Sequence, residues 1–174
     1  MAACDSREPL PELMPIAPFA LVDQNEHPFG TDQLRGKVWI ADVFFTSCPD
    51  ICPLQTSQMA NLQRRLPHDV WMVSVSVDPE VDTPARMREY AARYRADTTR
   101  WAFLTGDRDA VTRATTLSLR LGMGDRTAGE TNYSIGHSSR FLLIDRNLTL
   151  RGIYDTDGDG MNALEADAKW LLDH

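Results

Sequence analysis

The segment Val38-Trp39-Ile40-Ala41-Asp42-Val43-Phe44-Phe45 is apolar at every position but Asp42. A strand of this composition cannot leave one face in water. It belongs at the centre of a sheet covered on both sides, which is the situation of an α/β domain. The remainder of the chain keeps to that plan. Ile51 to Leu66 reads as a helix that turns Ile51, Leu54, Met59, Leu62 and Leu66 toward one face, and Val70 to Val77 reads as a strand. Thr83 caps a helix with Pro84 at its first position, and Met87, Tyr90, Ala91 and Tyr94 form its buried stripe. A short strand, Trp101 to Leu104, leads to Asp107, the N-cap of a helix expected to bury Ala110, Ala114, Leu117 and Leu121 and to stop at Gly122. Phe141–Ile144 and Leu148–Tyr154 then form a hairpin, and Met161–Leu172 a closing helix on Met161, Leu164, Ala168 and Leu171. The order predicts a three-layer α/β domain with a central mixed sheet.

Three segments lie outside that rhythm. Residues 5–18 carry Pro9, Pro11, Pro15 and Pro18 and read as an extended arm, so residues 1–18 are set apart from a domain spanning 19–174. Phe19 to Phe29 reads as a hairpin extension about Asp23-Gln24-Asn25. The polar stretch from Gly122 to Ser138 is long for a compact domain, which points to a working loop or to disorder. A net charge of −7 argues against nucleic acid, because phosphate binding needs a basic footprint. No apolar run approaches the roughly 18 residues of a membrane-spanning helix.

Three cysteines are present. Cys4 follows Met1-Ala2-Ala3, which leaves two readings: a lipidated first residue of the mature protein, giving a tether at the extracytoplasmic, periplasmic face of a membrane, or an ordinary cysteine in a frayed terminus. Cys48 and Cys52 sit in Phe45-Thr46-Ser47-Cys48-Pro49-Asp50-Ile51-Cys52-Pro53, between the buried strand and the next helix. That junction, outside the carboxyl end of a strand, is where α/β sheets place active sites. Pro53 must occupy the first helical turn, so both sulfurs are expected near a helix N-terminus, where partial positive charge favours thiolate. Thiolates serve metal binding and disulfide chemistry alike. Residues at i and i+4 of a helix have Cβ atoms about 5–6 Å apart, wider than the roughly 3.5–4.5 Å of a relaxed disulfide, so the spacing favours a metal without excluding reversible oxidation.

Three separated blocks of this sequence resemble the Sco/SenC family of copper chaperones, thioredoxin-like proteins that serve the dinuclear copper site of cytochrome c oxidase subunit II. They are the Cys48–Pro53 block, the block Ser76-Val77-Asp78-Pro79-Glu80-Val81-Asp82-Thr83-Pro84, and the block His137-Ser138-Ser139-Arg140-Phe141-Leu142-Leu143-Ile144-Asp145. The resemblance runs from about Phe19 to the C-terminus. It implies a thioredoxin-like fold with an inserted histidine-bearing loop, and Cys48, Cys52 and His137 as copper ligands. It also implies an oxidase subunit II copper domain, or another periplasmic copper protein, as partner. The sequence does not fix the oligomeric state, and a monomer is the expectation. Gly136 departs from the family, where an acidic or amide residue commonly precedes the histidine. Two thiolates and an imidazole suit the metal: soft sulfur holds Cu(I), and nitrogen makes Cu(II) tolerable.

Asp78, at a strand end, reads either as a partner of the cysteine loop or as an ordinary Asp-Pro turn. Met123 reads as helix-end packing or an auxiliary soft ligand. His27, His68 and His174 read as solvated. Asp155-Thr156-Asp157-Gly158-Asp159-Gly160 resembles the start of a calcium loop, but Ala166 stands where the bidentate glutamate is needed, so it reads as a turn and N-cap. Three functions are in competition: a metallochaperone for Cu(I) or Cu(II); a thiol–disulfide oxidoreductase acting on the oxidase's copper-ligand cysteines through Cys48 and Cys52; and a peroxiredoxin-like peroxidase, which needs an arginine at the cysteine.

Overall fold

The computed structural model describes residues 7–49, 51–128 and 133–174. In chain order the elements are β1 (Met14–Pro15), β2 (Ala20–Val22), β3 (Pro28–Gly30), α1 (Thr31–Leu34), β4 (Val38–Phe44), α2 (Ile51–Arg65), β5 (Val70–Ser76), α3 (Pro84–Arg93), β6 (Trp101–Leu104), α4 (Arg108–Arg113), a π-helical turn (Ala114–Ser118), β7 (Arg126–Ala128), β8 (Tyr133–Ile135), β9 (Phe141–Ile144), β10 (Thr149–Tyr154) and α5 (Gly158–Asp173). Six strands form one mixed sheet in the order β1-β10-β9-β4-β5-β6. β4, β5 and β6 run parallel, while β9 pairs antiparallel with β4.

The expected central strand is central. Every residue of β4 is buried, and Trp39, Ile40, Ala41 and Val43 are fully so. The α/β class with a central mixed sheet, the β2–β3 hairpin and the β9–β10 hairpin all stand as the pattern predicts. β4 and β5 end together at Phe44 and Ser76, which brings the cysteine loop and the Asp78–Thr83 turn side by side at one sheet edge. Thr83 caps α3 by accepting from the Arg86 amide, and Asp107 and Asp157 cap α4 and α5 in the same way. The calcium-like segment is thus a turn and helix start, with Asp155 paired to Arg140 at 3.1 Å.

Several expectations need correction. Ile51 and Leu54 are exposed, at 37% and 56%, because α2 turns its first apolar residues outward beside the cysteines. Leu117 is 61% exposed. It falls in the π turn, where the Leu119 amide donates to the Ala114 carbonyl five residues back, and the widened turn rotates Leu117 out of the stripe begun by Ala110 and Ala114. In the N-terminal arm, Met14–Pro15 pairs with β10, and the Arg151 side chain donates to the carbonyls of Leu10 and Pro11. Among the described residues no helix is long and apolar enough to cross a membrane.

Candidate metal centre

β4 delivers the chain into a turn at Thr46–Ser47, closed by the Cys48 amide donating to the Phe45 carbonyl at 3.2 Å. Cys48 stands just before α2 and is half-buried, whereas Cys52, the second residue of α2, is fully buried. Both are free thiols. Pro53 falls in the first turn, where its missing N–H is harmless. His137 arrives from the far end of the long loop, just past β8. The Cys48 Sγ, the Cys52 Sγ and a ring nitrogen of His137 all lie within 4.8 Å of one another. The fold therefore joins side chains separated by 85 residues of sequence.

His137 is oriented from two sides. Its Nδ1 lies 2.9 Å from the Ser138 carbonyl, which can only accept, so the proton sits on Nδ1 and the Nε2 lone pair is left as an acceptor. That Nε2 is 3.3 Å from the Cys52 Sγ, which donates its thiol hydrogen to it. The Phe45 ring meets the imidazole edge-on, with centroids 5.8 Å apart. Burial lowers the pKa of His137, opposed by the Ser138 carbonyl, so the ring is held neutral as a metal ligand requires. Burial raises the pKa of Cys52, and the hydrogen bond with Cys48 adds to it. This corrects the expectation of two thiolates at the helix terminus: at Cys52 desolvation outweighs the helix dipole. A soft cation that enters must displace the Cys52 proton. Two sulfurs and one unprotonated imidazole nitrogen converging on one point fit copper or another soft metal better than calcium or magnesium.

The cysteine loop is held by a residue the sequence did not single out. Asp82 is fully buried and accepts from the Thr46 amide at 3.0 Å, from the Thr46 hydroxyl, and from the Ser76 hydroxyl at 2.6 Å. It thereby fixes the backbone two residues before Cys48. Burial raises its pKa, opposed by the Ser76 and Thr46 hydrogen bonds. Arg86 completes the cluster, donating from Nε to Thr46 Oγ1 at 2.7 Å and from Nη2 to Ser47 Oγ at 2.9 Å. Asp78, which the sequence left between a loop partner and an ordinary Asp-Pro turn, is buried in the same turn. Its amide donates to Ser76 Oγ and its carbonyl accepts from Val81 and Asp82. A second acid in that block, next to the Thr83-Pro84 cap, was the available signal for Asp82.

His27, His68 and His174 are exposed and away from the centre, as expected. Met123 is half-buried and packs against the core. The loop closes on itself at Gly124, whose amide donates to the Gly136 carbonyl at 2.6 Å. Cys4 lies outside the described residues.

A mixed sheet with a thiol pair at the mouth of its central strand, answered by a loop histidine, defines a thioredoxin-like metal-binding domain. The chain belongs to the SCO1/SenC family, whose pattern matches residues 10–172. It is similar to a SCO1/SenC family lipoprotein from Bacillus anthracis, 31% identical with a TM-score of 0.79 over 91% of this chain and 95% of that one. It is also similar to ScoI of Bradyrhizobium japonicum, solved with copper bound, at 26% identity and a TM-score of 0.78 over 90% and 98% of the two chains. A third likeness is to BsSco, a member of the Sco family of cytochrome c oxidase assembly proteins in which a disulfide switch has been identified. It is 26% identical, with a TM-score of 0.78 over 96% and 98% of the two chains.

Proposed function

We propose that this protein is a copper metallochaperone that holds one copper ion as cargo through Cys48, Cys52 and His137 and passes it to the dinuclear copper site of cytochrome c oxidase subunit II. The observation that carries this reading is the convergence of two free thiols and an unprotonated Nε2 within 4.8 Å. Membership of the SCO1/SenC family and the copper bound to the related ScoI support it. The chain's own part is to hold the imidazole neutral through Ser138, to give up the Cys52 proton when the metal enters, and to keep the Cys48 loop in place through Asp82. Asp78 supports that loop from the same turn. Exchange of thiolates one at a time, at a site half-open on the Cys48 side, then suits transfer to another protein. Residues 19–174 form the working domain, and Cys4 anchors it at the extracytoplasmic face of a membrane, a reading supported by the related lipoprotein.

The test is an anaerobic copper titration of the reduced protein, followed by absorption spectra of the Cu(II) form. One equivalent is expected, with thiolate-to-copper charge-transfer bands. Cys48→Ser and Cys52→Ser abolish binding, and His137→Ala weakens it by at least the roughly 10- to 100-fold that losing a supporting partner behind a metal ligand costs. Full-strength binding by the double serine variant sinks the proposal. A second reading, thiol–disulfide exchange with the oxidase's copper-ligand cysteines, is favoured by the adjacent free thiols and by the disulfide switch of the related BsSco. A mixed disulfide trapped by a single-cysteine variant distinguishes it. For a peroxidase the arginine at the loop is Arg86, which directs its donors to Thr46 and Ser47.

A further inference from the structure

α2 and α3 both begin beside the metal centre and run away from it with a groove between them. An open hollow of about 560 Å³ lies between the two helices, another of about 420 Å³ continues from it along α3 to the cysteine loop, and Arg93 lines both. The hollow nearer the centre is bordered by Thr46 and Arg86 of the cysteine-loop cluster, and by Glu89. The farther one is bordered by Arg64, Arg93 and Arg95, with Ser57, Asn61 and Tyr94 between them. Among the described residues Glu89 is the only acid lining either hollow. Arg64 bonds only the neutral Asn61 side chain, and among the described residues neither Arg64 nor Arg93 nor Arg95 is paired with a carboxylate. Arg86 stands 3.9 Å from the buried Asp82 carboxylate, which leaves three arginines without a carboxylate partner among the described residues, on a chain of net charge −7.

The helical periods explain the alignment. On α2, Leu54, Ser57, Asn61 and Arg64 follow one another at spacings of three and four and so share a face. On α3, Arg86, Glu89 and Arg93 do the same. Each exposed row starts at the metal centre: Leu54 lies two residues beyond Cys52, and Arg86 donates to the residues just before Cys48. The result is an apolar patch of Ile51 and Leu54 by the thiols, continued by a row of guanidinium groups. That matches the anatomy of a protein interface, an apolar centre with a charged rim.

We propose that the groove between α2 and α3 docks an acidic protein surface, that of the partner which exchanges metal with Cys48, Cys52 and His137. The occupant is inferred from charge and shape. Planar guanidinium forks spaced along a concave groove suit carboxylates projecting from a polypeptide, which each can bind with two donors. A bilayer surface is flat, and the chain's overall negative charge opposes an anionic one. The inference rests on the metallochaperone reading for the partner's role, but the groove can be tested apart from it.

The test compares wild type, Arg93→Glu/Arg95→Glu, and the control Arg35→Glu, an exposed arginine at the opposite end of β4 from the cysteines. Binding of a fluorescein-labelled ten-glutamate peptide is read by anisotropy at low salt. We expect binding to wild type and the control and a loss of about tenfold or more in the double variant. Equal binding by all three proteins overturns the inference, as does arginine-dependent binding of phosphatidylglycerol vesicles without binding of the peptide. In a second arm, the copper-loaded proteins transfer metal to an isolated oxidase subunit II copper domain. The double variant is expected to transfer about tenfold more slowly at low salt, to match wild type at high salt, and to keep its copper affinity. Wild-type transfer unaffected by the double variant counts against the groove. Failure of wild type itself to transfer counts against the metallochaperone reading and leaves the peptide result to decide the groove.

Discussion

Asp82 touches no ligand atom, yet three hydrogen bonds converge on its carboxylate and two of them come from Thr46. Asparagine at this position offers one acceptor oxygen and places an amide where the Thr46 or Ser76 hydroxyl now donates. The turn keeps its shape only in part, and Cys48 loses its fixed place relative to Cys52. Asp82→Asn is therefore expected to lower copper affinity about tenfold, in the range seen when supporting hydrogen bonds behind a metal site are removed. Thermal stability should fall only modestly. Competition titration against a chelator of known affinity checks it, and an unchanged affinity refutes the positioning role. At this scale the sequence is legible where chemistry is written in spacing, as in Cys48 and Cys52. It is silent where long-range folding decides. Nothing local marks His137 as a ligand, and only the family resemblance singles it out. The sequence points to Asp78 before Asp82 because the direction of a buried carboxylate depends on the turn between them.

The loop that carries His137 depends on a close approach of backbones. A Cβ on Gly124 would stand 3.1 Å from the Cα and carbonyl oxygen of Gly136, and backbone cannot swing aside as a side chain can. Gly124→Ala is expected to part the two strands of the loop, break the Gly124–Gly136 hydrogen bond and displace the neighbouring His137. Copper affinity should then drop toward that of His137→Ala, with the Cu(II) spectrum losing its nitrogen ligand. Gly136→Ala is the matched control, since its Cβ would meet nothing nearer than 3.8 Å. Equal, wild-type spectra from both variants would show that the approach does not matter. The same geometry bears on the family departure at Gly136: there is room for a side chain there, and the tight position is its partner. Elements are legible where composition dictates burial or capping, as in β4, the Thr83-Pro84 start of α3 and Asp157 at α5. They are misread where the backbone leaves its ideal period. The π turn moves Leu117 outward against a stripe that fits 3.6 residues per turn.

One polar network crosses the centre of the molecule and ties its stability to pH. Asp42, in β4, is 1% exposed; it accepts from Ser74 of β5 and, at 3.2 Å, from Gln55 of α2, while Trp101 of β6 donates to Ser74 at 2.9 Å. Burial pushes its pKa up from 3.8 to about 7, against the pull of the Ser74 and Gln55 hydrogen bonds. In the protonated form its O–H can donate to the Gln55 carbonyl oxygen, which is buried without a partner, once that amide flips to meet it. Between about pH 4 and 7 the folded protein holds a proton at Asp42 that the unfolded chain releases. Stability from this group is complete below the unfolded pKa and is lost as pH rises through about 7. Asp42→Asn keeps an acceptor for Ser74, supplies an N–H for Gln55 and removes the titration. In urea denaturation, the variant should gain on wild type by on the order of 1–3 kcal/mol as pH goes from about 4 to 8. Taking the difference between the two proteins cancels every other ionising group, so a gap that stays constant with pH would mean that Asp42 is already charged in the fold. The apolar run around Asp42 foretells its burial. Its partners come from β5 and α2, and only the assembled sheet brings them to it.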